Sequence, residues 1–174
     1  MYRWVLGVVC AVLLAGCGAA NGATTTVDAE VDSGYIPDGE RISPFDDGDP
    51  AIDRLDPALL SAVRSAATDA RARGVGVGVT SGWRSRELQQ QLLDQAVAKY
   101  GSLDAARQYV STPDVSKHVT GDAIDIGPTD AADWLIQHGD EYGLCQMYSN
   151  EMWHFELATE PGGTCPAPLP NAAG

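Results

Sequence analysis

The chain has 174 residues and four cysteines, and its 24 Asp and Glu against 11 Lys and Arg leave a net charge of −13. So acidic a surface repels phosphate backbones and anionic headgroups, which excludes nucleic-acid binding and electrostatic adsorption to membranes. By length it holds one hydrophobic core once the non-globular N-terminal part is set aside.

Residues 1–16 carry one positive charge, Arg3, and an apolar run from Trp4 to Ala15 that is too short for a permanent membrane span. This is the pattern of a signal peptide. Its end, Leu14-Ala15-Gly16-Cys17, resembles the lipobox of bacterial lipoproteins, in which the cysteine thiol becomes diacylated. Two acyl chains anchor stably because each buried methylene adds about 0.8 kcal/mol. The resemblance implies an extracytoplasmic protein held on the cell membrane of a bacterium through Cys17. Residues 18–54 hold nine acidic and two basic side chains among Gly, Thr and Pro, too little apolar surface to offset the entropy of ordering them. They are expected to form a flexible acidic tether, about 35 Å end to end as a random coil, with docking confined to Ile42-Ser43-Pro44-Phe45. Residues 55–174 are then the folded domain.

Within that domain, Asp56-Pro57 reads as an N-cap with proline at the first helical position, and Leu59, Leu60, Val63, Ala67 and Ala70 recur at helical spacing up to Gly74. The valine–glycine alternation of residues 75–80 suits a strand approached closely on one face. Ser85 caps a second helix over 86–100 with Leu88, Leu92, Leu93 and Ala96 inward, and a third follows from Ser102 through Tyr109. Residues 111–121 have turn chemistry, and Ala123-Ile124-Asp125-Ile126 is a short strand with Ala123 and Asp125 on one face. A fourth helix over 130–142 and a strand over 152–157 complete the domain. Helices come mainly first and strands later with short gaps, so the fold class is α+β with an antiparallel sheet.

Four cysteines reduce to one pair, because Cys10 leaves with the signal peptide and Cys17 takes lipid. Outside the cytoplasm a Cys145–Cys165 disulfide is the default. The rival, two thiolate metal ligands, lacks the close Cys-x-x-Cys spacing of structural zinc sites.

Of three histidines, His138 sits late in a predicted helix and reads as a surface residue, whereas His118 and His154 stand near carboxylates in Ser116-Lys117-His118-Val119-Thr120-Gly121-Asp122-Ala123-Ile124-Asp125 and Glu151-Met152-Trp153-His154. Two imidazoles and one carboxylate would hold a zinc ion and leave the fourth position open, as catalytic zinc requires. In a regular strand Glu151 would face away from His154 while Glu156 would share its face. Either the strand starts after Glu151 or it is bulged there, and Glu156 is a rival as metal ligand or as the partner that holds one.

The ordered set Ser-x-His-x-x-Gly-x-Ala-x-Asp and Glu-x-Trp-His, preceded by Ser81-Gly82-Trp83-Arg84-Ser85 and Gln89, resembles the zinc D-alanyl-D-alanine peptidases. These are the VanY-type D,D-carboxypeptidases, the VanX-type dipeptidases and related L,D-carboxypeptidases, kin of the Hedgehog signalling domain. Trp83 departs from the family's usual tyrosine, which keeps an aromatic wall and removes a hydroxyl. The resemblance implies zinc ligands His118, Asp125 and His154, Glu151 as catalytic base, and Arg84 as the cation that polarises the scissile carbonyl or holds substrate carboxylate. Ser116 and Gln89 become substrate contacts. The implied activity is removal of the terminal D-Ala from peptidoglycan stem peptides. An L,D-carboxypeptidase, an endopeptidase on the same polymer, or a non-catalytic wall- or metal-binding lipoprotein are the alternatives.

Overall fold

The computed structural model describes residues 32–173. The expected signal peptide, Cys17 and the first part of the expected tether lie outside the described residues. Among the described residues no helix is long and apolar enough to cross a membrane.

The elements run α1 (Pro50–Asp53), α2 (Pro57–Ala72), β1 (Gly78–Ser81), α3 (Arg86–Tyr100), α4 (Leu103–Ala106), α5 (Lys117–Thr120), β2 (Ala123–Gly127), α6 (Thr129–His138), a 3-10 turn (Gly139–Tyr142), β3 (Leu144–Gln146) and β4 (His154–Leu157). The four strands form one antiparallel sheet in the order β1-β2-β4-β3, the α+β class that the sequence predicts. Asp56 accepts from the amides of Ala58 and Leu59, and Ser85 from that of Leu88, so both long helices start at their expected caps. Leu59, Val63, Ala66 and Ala70 of α2 pack with Val79, Ile124, Ile126 and Phe155 of the sheet in the main core.

Several elements depart from expectation. The helix after Ser102 is one turn long, the turn region 111–121 contains the short helix α5, and β3 was not anticipated. β1 begins only at Gly78, and α6 gives way at Gly139 to the 3-10 turn.

The larger correction concerns residues 33–54, which are not tether. Ser33, Ile36 and Pro44 are buried, Ile42 bridges Val79 of β1, and Ala51 and Ile52 of α1 lie fully inside the main core. Few apolar residues suffice here because the arm also docks by backbone: Ile42 and Val79 exchange two hydrogen bonds, and Ala51 O and Ser33 O accept from Trp83 and Ser85. Composition averaged over 37 positions hides a handful placed where they touch the sheet.

Candidate active site

The sheet brings the site together in register. Asp125 of β2 lies directly opposite His154 of β4 on one side and Ser81 of β1 on the other. His118 arrives from α5, whose N-cap is Ser116 and whose C-cap, Gly121, has φ 80°. A side chain at Gly121 would also meet Arg54 O at 2.4 Å, so the motif's glycine is needed twice over. Gly82 is required by a close approach instead: its Cβ would lie 2.0 Å from Ala51 O. Its carbonyl, free to turn inward, meets His118 Nδ1 at 2.8 Å.

His118 Nε2, His154 Nδ1 and Asp125 Oδ1 form a triangle with edges of 3.3, 3.2 and 3.4 Å. Donors around a tetrahedral zinc at 2.0–2.1 Å would be separated by about 3.3 Å. The donor set therefore fits that ion in spacing as well as in type. The outer nitrogens are also held: His118 Nδ1 by Gly82 O, and His154 Nε2 by Glu156 Oε1 at 3.0 Å. Such partners fix tautomer and ring orientation. Glu156 thus buttresses His154 from behind, two residues along the same face of β4 and opposite the small Ala123.

Arg84 ties the other carboxylate oxygen. Its Nη2 donates to Asp125 Oδ2 at 2.9 Å, its Nε to Ser81 Oγ at 2.7 Å and its Nη1 to Gln89 Oε1 at 3.1 Å. Burial would raise the Asp125 pKa, but the charge and hydrogen bond of His118, with His154 and Arg84, hold it well below the usual carboxylate range. Burial would likewise lower His154, yet its bonds to Asp125 and Glu156 push it up to about 9. Burial and the Arg84 charge lower His118 despite Asp125.

Glu151 lies before β4, in a turn closed by His154 N–H donating to Glu151 O at 3.2 Å. The strand starts after it, so the parity conflict does not arise, and Glu151 lines the same cavity as the three donors. Its Oε1 is buried without a hydrogen-bond partner. Burial, assisted by Asp125 and opposed by His154 and Arg84, pushes its pKa up to about 7. An unpaired carboxylate poised near neutrality can take up and release a proton.

These groups open onto a cavity of about 330 Å³ walled on one side by the α3 face bearing Gln89, Leu92 and Ala96. Ser116 makes no side-chain cap bond and lines the cavity, leaving its hydroxyl to a ligand. Gln89 lines it too, but its amide is engaged by Arg84 and, at 2.8 Å, by Ser111 O. Trp83 does not line the cavity: its Nε1 donates to Val119 O, and Arg54 stacks on its ring at 4.4 Å. The cavity's aromatic lining comes instead from Tyr148, whose ring lies 4.9 Å from that of His154, from the half-exposed Trp153 and from the stacked pair Tyr100 and Tyr109. Sequence reasoning missed Tyr148, which only the strand-edge geometry brings in, and passed over Trp153 although it stands inside the Glu-x-Trp-His motif. His138 is remote from the site and pairs with Glu141. Cys145 and Cys165 are disulfide-bonded, as expected.

Comparison with known proteins agrees with this geometry. A D-alanyl-D-alanine carboxypeptidase of Enterococcus faecalis is 30% identical over 59% of this chain and 48% of its own, so this chain spans about half the length of that relative. Among solved structures, a point mutant of the vancomycin-resistance D,D-pentapeptidase VanY in complex with Zn(II) superposes with a TM-score of 0.58 at 27% identity, covering 70% of this chain and 82% of that one. VanYB in complex with D-alanine-D-alanine gives the same score and identity over 70% and 80%. The LD-carboxypeptidase LdcB, 23% identical with a TM-score of 0.52 over 59% of this chain and 58% of its own, shares the fold. The sequence model of the VanY D-alanyl-D-alanine carboxypeptidases matches residues 53–161, a span that contains every donor and carboxylate described above, and this chain belongs to that family.

Proposed function

We propose that the protein is a zinc-dependent D,D-carboxypeptidase that removes the terminal D-Ala from peptidoglycan stem peptides. The observation that carries this reading is the His118–Asp125–His154 triangle with the buried, unpartnered Glu151 in the same cavity. Relatives bound to Zn(II) and to D-alanine-D-alanine support the metal and the substrate class.

A zinc ion held by the triangle supplies Lewis-acid chemistry and makes water nucleophilic near neutral pH. Glu151 accepts the proton of the attacking water and delivers it to the leaving amine, a role for which its raised pKa suits it. Arg84, held by Ser81, Gln89 and Asp125, presents a fixed positive charge to the scissile carbonyl or to the terminal carboxylate one residue on. In both cases the leaving residue lies beside Arg84. Ser116 contributes a free hydroxyl, and Gln89 acts by holding Arg84. Incubation of the protein with a stem pentapeptide ending in D-Ala-D-Ala should release one alanine, detected by mass, and a chelator should abolish the release. Loss of two residues together, or release that survives metal removal, would defeat this reading.

We further propose that the protein is an extracytoplasmic lipoprotein anchored at Cys17. The lipobox-like Leu14-Ala15-Gly16-Cys17 supports this, and the disulfide is compatible with an oxidising compartment. Cys17→Ala should abolish incorporation of labelled fatty acid in cells; undiminished labelling would refute the anchor.

A further inference from the structure

Two residues that line the cavity, Asp38 and Ala172, lie outside the family match over residues 53–161, and Ala172 belongs to a C-terminal segment tied to the site's rim. Cys165 is bonded to Cys145 of β3, and from there the chain runs Pro166-Ala167-Pro168-Leu169-Pro170. Alternating prolines preset an extended backbone, so anchoring it costs little conformational entropy. The one residue between prolines that docks does so through its backbone: Leu169 N–H donates to Met147 O at 2.9 Å, and Leu169 O accepts from Ser149 at 2.8 Å, pairing it in parallel with Tyr148. Ser149 Oγ donates to Pro170 O. This strap then reaches the loop after α4, where Ser111 Oγ donates to Ala172 O at 3.4 Å, and Ala172 lines the cavity. From Ser111 the hydrogen bonds lead inward, through Gln89 to Arg84.

We propose that residues 165–173 form a strap that closes the leaving-residue end of the cavity and restricts the enzyme to chain ends, with one residue accepted beyond the bond that is cut. The inference rests on the peptidase reading above, which places the leaving residue beside Arg84. On this proposal each residue beyond it adds about 3.5 Å and follows the part of the cavity lined by Gln89, Ser111 and Ala172. A peptide that ends beside Arg84 avoids the collision; one that continues, as at an internal bond, meets backbone pinned at Leu169 and by the disulfide.

The test compares the full-length protein with the same chain ending at Pro166, on two substrates: a stem pentapeptide ending in D-Ala-D-Ala, and that peptide extended by two glycines. The parent should cut the extended peptide between its D-Ala residues with at least about 10²-fold lower kcat/KM, and the shortened chain should narrow that ratio by about tenfold or more. Leu169→Pro keeps the length but lacks the N–H that Met147 O accepts, and it should shift the ratio in the same direction. It carries the test should the shortened chain not fold. A parent that cuts both peptides equally well, or ratios unchanged in both variants, would overturn the strap and leave the peptidase reading standing. A parent that releases nothing from either peptide would overturn the peptidase reading and the strap with it.

Discussion

At the scale of single residues, the site separates groups that face the metal position from groups that hold them. Glu156 belongs to the second kind, because its Oε1 meets the outer nitrogen of His154 and not the inner one. Glu156→Ala should therefore weaken zinc affinity by about 10–100-fold, the usual effect of losing such a partner, while a saturating metal concentration restores turnover. Competition with a chromogenic chelator reads the first effect and peptide hydrolysis the second; unaltered affinity would show that Glu156 is a bystander. The three donor residues that the fold brings together were legible in the sequence because metal chemistry demands particular side chains in an ordered pattern. Strand parity singled out Glu156 as a ligand or the partner of one without choosing between them, whereas the parts played by Gln89 and Tyr148 were not legible, since each depends on which way a side chain turns after the chain has folded.

At the scale of elements, the long helices were legible because caps and apolar periodicity agreed over 15 or more positions, as at Asp56 with α2 and Ser85 with α3. Apart from α6, expected to run past Gly139, the elements missed or overextended are short. β3 has three residues and α5 four, too few for a period to show, and they are fixed by pairing with β4 and by the glycine at position 121. The Cys145–Cys165 bond spans 20 residues that include Glu151, Trp153 and His154. Replacing both cysteines by serine should cost about 3 kcal/mol on a chain-entropy estimate. Denaturant unfolding of the oxidised parent and the double variant checks this, and equal midpoints with equal slopes would mean that the loop is held without the bond.

At the scale of the whole molecule, the domain is larger than composition implied. Residues 33–54 read as an acidic tether, yet Ile36, Ala51 and Ile52 complete the core, and Gly34 and Ala51 sit against the backbone of the Ser81–Ser85 segment that carries Arg84. A chain beginning at Leu55 should therefore lose cooperative unfolding, whereas one beginning at Asp32 should keep the stability of the parent. Thermal unfolding followed by near-ultraviolet dichroism distinguishes them. Equal midpoints for the two would show that the arm is dispensable, as the tether reading expects.

The central claim is that His154 holds the metal and Glu151 the proton, and metal content measured beside turnover on the stem pentapeptide tests it most directly. Glu151→Ala should stay folded with one zinc per chain and lose at least about 10²-fold in turnover. His154→Ala should lose metal and activity together, because only two protein donors remain. A Glu151→Ala protein that hydrolyses the peptide at the parent rate, or a His154→Ala protein that still carries one tightly bound zinc, would contradict the account.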